Sequence, residues 1–437
     1  MSDLPKGWIE APIGEICDVV GGATPKTAVP DYWNGDIPWL TPDDLSKDRS
    51  QYVHRGSRMI TQQGFDASAT RMVPKGTVLF TSRAPIGYVA IAAAPMCTNQ
   101  GFKSFVPPPG VLSEYLYWYL RYSTPQIREM GSGTTFAEIS KKVAASIPLP
   151  MPPTSEQRRI VDAIEEHFSR IEAGEFSLRS CVSRCLGLQT AVLEEAMSAS
   201  WPPVQLGELL VSLKNGVFVS RPAADPPGLP ILRISAVRPM ALDLTDVRYA
   251  PVGTPKAESY CIEEGNLLFT RYSGNPDYVG ACAVVQKTSG PIAYPDKLIR
   301  AVVDQARVDP RYIAIAVTAR EGRREIEGYL KTTAGQVGIA GSQLKSVHIP
   351  LPPMEEQIRL INYVESAMSQ VHRLTATVDE EMHHVASLRR SVLAEAFSGR
   401  LVPRDPNSEP ASVLLERIQA EREASSDLKH RRKKVMA

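Results

Sequence analysis

Little net charge is left in this sequence: 49 lysines and arginines face 48 aspartates and glutamates, a formal +1 over 437 residues. That balance argues against a protein that coats DNA indiscriminately and leaves room for a locally basic face. Long apolar runs are missing too, and none approaches the roughly 18 residues of a membrane-spanning helix. Cysteine is sparse and scattered, at Cys17, Cys97, Cys181, Cys185, Cys261 and Cys282. Cys181 and Cys185 have a helical spacing, but no histidine or second cysteine pair stands where it would complete a zinc site, so no metal is expected. No signal-peptide pattern opens the sequence, and reduced thiols in the cytoplasm are the expectation. Catalytic signatures are lacking as well. There is no P-loop, no convincing glycine-rich S-adenosylmethionine loop and no compact nuclease-like cluster of carboxylates. No catalytic residue is assigned, and the chain reads as a binding protein of roughly two to four domains.

What is present is written twice. Ile147–Gln157 reads IPLPMPPTSEQ and Ile349–Gln357 reads IPLPPMEEQ. A long proline-free segment follows each, closing in LEEAMS (Leu193–Ser198) and LAEAFS (Leu393–Ser398); Glu156 to Glu356 and Leu193 to Leu393 are both 200 residues apart. Upstream, Trp8 with Ile13-Gly14-Glu15-Ile16 corresponds to Trp201 with Leu206-Gly207-Glu208-Leu209, 193 residues on. GTVLFT (Gly76–Thr81) resembles GNLLFT (Gly265–Thr270). The chain therefore divides into a globular unit (1–146), a proline-rich lead-in and long helix (147–200), a second globular unit (201–346), a second lead-in and helix (347–403), and a C-terminal helix with a basic tail (404–437).

With Val161 as heptad position a, the a and d positions through Ala196 are apolar except Glu175 and Gln189; 200 residues on, the stripe from Ile361 to Ala396 is polar at Thr375 and Arg389. Alternating three-and-four spacing over about five heptads is a coiled-coil signal. A helix over Glu156–Ser198 would be about 65 Å long, with one apolar face to cover. Its own repeat is the expected antiparallel partner, Glu175 meeting Arg389 and Gln189 meeting Thr375 to fix register; a parallel homodimer is the alternative. Thr154 or Ser155 can N-cap the first helix, and Ser408 a last helix from Glu409 to about Ala424.

Each globular unit reads as mixed α/β, with strands at Gly76–Thr81, Gly87–Ala92 and Asn266–Thr270 and amphipathic helices at Val111–Tyr122 and Arg311–Arg323. Groups suited to base edges and phosphates gather in the loops. In the first unit these are Thr24, Lys26, Thr27, Tyr32, Trp33, Trp39, Arg83, Asn99, Gln100, Lys103 and Thr134. In the second they are Lys214, Arg221, Arg233, Arg271, Tyr272, Lys297, Lys331 and Thr332. Each could equally be an ordinary turn residue. Asn275-Pro276-Asp277-Tyr278 is similar to the Asn-Pro-Pro-Tyr motif of amino-methyltransferases, but it falls opposite Pro85-Ile86-Gly87-Tyr88 of the first unit and reads as part of the repeat.

GGATPKTAVPDYWNGDIPWLTPDDL (Gly21–Leu45), both lead-ins ending in Glu-Gln, Thr98-Asn99-Gln100-Gly101 and GRLVPRDPNSEPASVLLERIQAER (Gly399–Arg422) resemble type I restriction–modification specificity subunits, often called HsdS. The resemblance covers nearly the whole chain in order. It implies an α+β fold with two mixed α/β target-recognition domains joined by two long helices that form an intramolecular antiparallel coiled coil. It also implies a non-catalytic subunit that binds a bipartite double-stranded DNA target. Two methyltransferase and two restriction subunits would be its partners, with S-adenosylmethionine, ATP and magnesium on them and no cofactor here. A stand-alone DNA adenine methyltransferase and a coiled-coil scaffold without base recognition are the rival readings. The second unit lacks the Gly-Thr-Pro-like and Tyr-Trp loop of the first, so contacts do not transfer between units from sequence.

Overall fold

The structure is a computed structural model that describes residues 4–131, 137–251, 257–333 and 336–435. It divides into two units, one of residues 1–176 with 382–437 and one of residues 177–381.

The first unit is built on a five-stranded sheet in the order Asp18–Gly21, Lys103–Val106, Val78–Phe80, Val89–Ala92, Tyr52–Val53. The GTVLFT run supplies the middle strand. Val78 and Phe80 face a core that includes Tyr115 and Leu116 of the helix Ser113–Glu129, while Leu79 faces a second cluster with Leu40, Leu45 and Phe102. Period-two alternation therefore serves two apolar layers, which is why the strand Val78–Phe80 has no polar residue. In the second unit GNLLFT does the same work. Leu267–Thr270 lies inside a four-stranded sheet ordered Leu210–Asn215, Leu298–Val303, Leu267–Thr270, Cys282–Val284. Leu267 and Phe269 enter one core and Leu268 another. Both strands are approached through a left-handed glycine, Gly76 (φ +85°) and Gly265 (φ +82°).

The proline-rich lead-ins are strands, not free extended linkers. Ile9–Pro12 pairs antiparallel with Pro148–Met151, and Pro203–Gln205 pairs with His348–Pro350. Two-stranded ribbons tolerate the prolines because each strand has an unpaired edge. The Glu-Gln that ends each lead-in has a structural task that the sequence did not disclose. The Gln157 carboxamide oxygen accepts from Leu112 N–H (2.9 Å) and its amide donates to the Pro152 carbonyl (3.1 Å). The Gln357 oxygen accepts from Asp309 N–H (3.0 Å) and its amide donates to the carbonyls of Arg307 (3.1 Å) and Pro352 (2.9 Å). Tyr115 and Tyr312 donate to the equivalent carbonyls of Pro150 and Pro350. Each glutamine thus ties lead-in, long helix and neighbouring helix start together.

The long helices are α1 (Thr154–Ala196) and α2 (Met354–Phe397). In the first unit the α1 residues Ile160, Ile164, Phe168 and Ile171 share a core with Val392, Leu393, Ala396 and Phe397 of α2. There Glu175 accepts from Arg389 at 2.8 Å. In the second unit Val192, Leu193 and Ala196 of α1 share a core with Leu360, Ile361 and Val364 of α2, and Tyr363 donates to Glu195 at 2.5 Å. Partner numbers fall as α1 numbers rise, so the helices run antiparallel within each unit, in the heptad phase expected. Thr375 donates back to the Val371 carbonyl of its own helix (3.0 Å), and no bond to Gln189 is seen among the described residues.

Three local expectations are corrected. Thr154 does not act through its hydroxyl as a cap: that group donates to the Gly110 carbonyl (2.7 Å). The counterpart of Ser113–Glu129 is broken into Pro310–Thr318 and Arg320–Tyr329, with Ala319 extended between them (ψ 156°). The last helix, α3 (Ala411–Val435), begins after Pro410 and runs through the basic segment, with Leu414 and Ile418 buried in the first unit's core. Ser408 instead bonds Ser155 and Asp405.

Candidate nucleic-acid interface

In each unit the chain leaving the first sheet strand presses a glycine against a neighbouring loop. A Cβ on Gly22 would lie 2.2 Å from the carbonyl oxygens of Thr98 and Asn99, and one on Gly216 would lie 2.1 Å from that of Pro295. Only glycine fits so close a backbone approach. The next residue seals it: Ala23 N–H donates to the Thr98 carbonyl (3.0 Å), and Val217 N–H to that of Tyr294 (3.1 Å). The two loops look unrelated as strings, yet their anchors are the same.

Beyond the anchor the units differ. In the first, Thr24 hydrogen-bonds the Gln100 side chain, and Lys26 and Thr27 are exposed. Asn99 accepts from Gly101 N–H (2.9 Å). Trp33 and Trp39 do not face outward. They pack edge-to-face at 5.1 Å with Ile60 and Cys97, and their indoles donate to the loop carbonyls of Lys26 (3.4 Å) and Ala23 (3.0 Å). Their part is to hold the loop, and half-buried Tyr32 packs beside them. The exposed Arg58 guanidinium stacks 3.5 Å from the Trp33 ring centre. Lys103 is likewise buried (9% exposed), reaching Ser82 (3.2 Å) and Glu138 (3.5 Å). Burial lowers its pKa against the opposing pull of Glu138. Arg83 pairs with the same carboxylate at 3.6 Å. Thr134 lies outside the described residues. Burial therefore withdraws Trp33, Trp39 and Lys103 from any surface that a DNA groove could touch directly.

In the second unit the cations rest on aromatic faces. Lys214 lies 4.0 Å from the ring centre of Tyr260, and Arg271 and Lys297 lie 4.8 and 5.1 Å from that of Tyr272. Such stacking holds a cation in place while leaving its donors available. Arg233 pairs with Asp246 (3.0 Å). Arg221 is exposed on a left-handed turn (φ +52°), and Lys331 and Thr332 are exposed on an edge strand beside Gln336–Gly338. Arg233 and Lys297 line one cleft of about 560 Å³ together with Phe218 and Arg248. Sequence reasoning missed those last two; the signal was the Gly216 anchor, visible only once Tyr294–Pro295 is beside it. Asn275-Pro276-Asp277-Tyr278 is a capped turn: Asn275 accepts from Asp277 N–H (3.0 Å), and Arg323 binds the Pro276 carbonyl (2.9 Å).

No cluster of three or more His, Cys, Asp or Glu side chains suited to a metal occurs among the described residues. No described helix is long and apolar enough to cross a membrane.

Each unit thus combines a mixed α/β body carrying basic and aromatic side chains in its loops with its own stretch of antiparallel long helix. Residues 5–176 match the family model for the type I restriction modification DNA specificity domain. Over 99% of both chains the protein is 27% identical to the type I restriction enzyme EcoKI specificity subunit of Escherichia coli K12. Over 171 residues, 39% of this chain and 40% of the other, it is 42% identical to the type I restriction enzyme MjaIX specificity subunit of Methanocaldococcus jannaschii. In fold it resembles a chain from a solved type I R-M system (TM-score 0.73, 19% identity, covering 91% of this chain and 99% of that one). Over nearly its whole length the chain is thus similar to type I restriction enzyme specificity subunits, and its residues 5–176 match the DNA specificity domain of that family.

Proposed function

We propose that this chain selects the DNA site for a type I restriction–modification complex in the cytoplasm. It binds a bipartite double-stranded target, one half-site for each recognition unit, and docks two methyltransferase and two restriction subunits. S-adenosylmethionine, ATP and magnesium belong to those partners. The observation that carries the reading is a framework repeated down to single hydrogen bonds, at Gln157 and Gln357 and at Gly22 and Gly216, that carries unlike exposed side chains. Two such readers suit an asymmetric, two-part site. Docking is supported by large apolar side chains left in water on the long helices: Leu188 and its repeat Leu388 are 47% and 52% exposed.

The test is expression with the partner methyltransferase, followed by sequencing that maps methylated adenines. One bipartite motif with a fixed gap is expected, and replacing residues 201–346 with another such domain should change one half only. Methyl transfer by the chain alone would instead indicate a stand-alone adenine methyltransferase. Absence of sequence-specific binding with the partner present would leave a coiled-coil scaffold.

A further inference from the structure

We infer that the residue two positions beyond the anchoring glycine is the base-reading position of each unit, and that Phe218, which shares a cleft with Arg248 and Lys297, sets the half-site of the second. The inference rests on the DNA-reading function proposed above and names the residues that perform it. That residue is Thr24 after Gly22 in the first unit and Phe218 after Gly216 in the second. The loop it faces is also equivalent, because Thr98 and Tyr294 accept the same backbone hydrogen bond. On one scaffold the first unit presents a hydroxyl bonded to the Gln100 carboxamide, and the second presents a phenyl ring.

That ring is 73% exposed and joins no core cluster among the described residues. It stands at the cleft lined by Arg233, Arg248 and Lys297, with Asp296 as the acid there. Arg233 is already paired with Asp246. Arg248 makes no ion pair among the described residues, and Lys297 has one long bond, to the Gln336 carboxamide oxygen at 3.5 Å. An exposed aromatic that shares a cleft with two such cations suits a polyanion with apolar faces. The cations take phosphates, and the ring packs on a thymine methyl or a base face. The first unit's Thr24 and Gln100 suit hydrogen-bond readout instead. Unlike residues on like scaffolds explain how one fold, used twice, can read two different half-sites.

The experiment uses the full chain with its partner methyltransferase, carrying Phe218→Ala, Phe218→Thr or Arg248→Gln. The half-site of the second unit is first assigned by exchange of residues 201–346. Both Phe218 variants should lose at least one specified base in that half-site, with the gap and the other half unchanged; the preserved half serves as the folding control. Arg248→Gln should lower occupancy at all sites and reduce the slope of log affinity against log salt by about one. An unchanged motif and salt slope, with the unmodified complex still returning a bipartite motif, overturns the inference. No motif from the unmodified complex removes the function it rests on, and the inference with it.

Discussion

Gln357 is fully buried where the lead-in, α2 and the helix start at Pro310 meet, and it holds one N–H and two carbonyls. Gln357→Ala strands those groups, each at the desolvation cost of an unpaired polar atom. A loss of about 2–4 kcal/mol is expected, readable as a lower urea midpoint with an unchanged slope. Cysteine gives a second prediction. Burial pushes the Cys17 thiol up to about 12 and Cys97 to about 11. Reaction with electrophiles needs thiolate, and at pH 8 both groups remain protonated. Exposed Cys181 should therefore label quickly in native buffer, while Cys17 and Cys97 wait for denaturant; mass spectrometry after timed alkylation decides it. At this scale the sequence was only partly legible. The Glu-Gln repeat was visible, but the helix-start partners of Gln157 and Gln357, Leu112 and Asp309, lie 45 and 48 residues away. Trp33, Trp39 and Lys103 stood in turn-rich sequence of the same composition as their exposed neighbours, and nothing local separates a loop's support from its tip.

Periodicity is a property of elements, and there the reading reached further. The heptad stripe placed α1 and α2 within two residues of their ends and put Glu175 opposite Arg389. The lead-in strands were not legible, because proline in sequence argues against a ladder and the partner strand is a distant one. The half-buried Glu175–Arg389 pair also makes a prediction. Arg389→Leu alone takes the Arg389 cation from the Glu175 carboxylate in the helix seam and should cost about 1–2 kcal/mol. Converting both residues to leucine should restore or exceed the original stability. If the pair sets register, cysteine cross-links across the helices that form singly in the parent should become mixed in the double variant; one sharp pattern in both would reject that role.

For the whole molecule, self-similarity was the most informative feature of the sequence, since it set the order of the segments before any side chain was placed. What it could not supply was the equivalence of the two glycine-anchored loops, because a backbone anchor leaves no side-chain signature apart from glycine. The proposed spacer role predicts that one heptad inserted at matched places in α1 and α2 widens the unspecified gap and leaves both half-sites as they were. Mapping methylated adenines before and after the insertion checks it, and an identical gap would count against that role.

The anchor at Gly22 and Gly216 is made of main chain alone, so it is blind to the identity of whatever comes two residues later. A lineage of such proteins could therefore change its vocabulary by ordinary point mutation at that position, with no compensating repair underneath. A library randomised at position 218 alone should retain most of its members as folded protein and yield new recognition sequences among them.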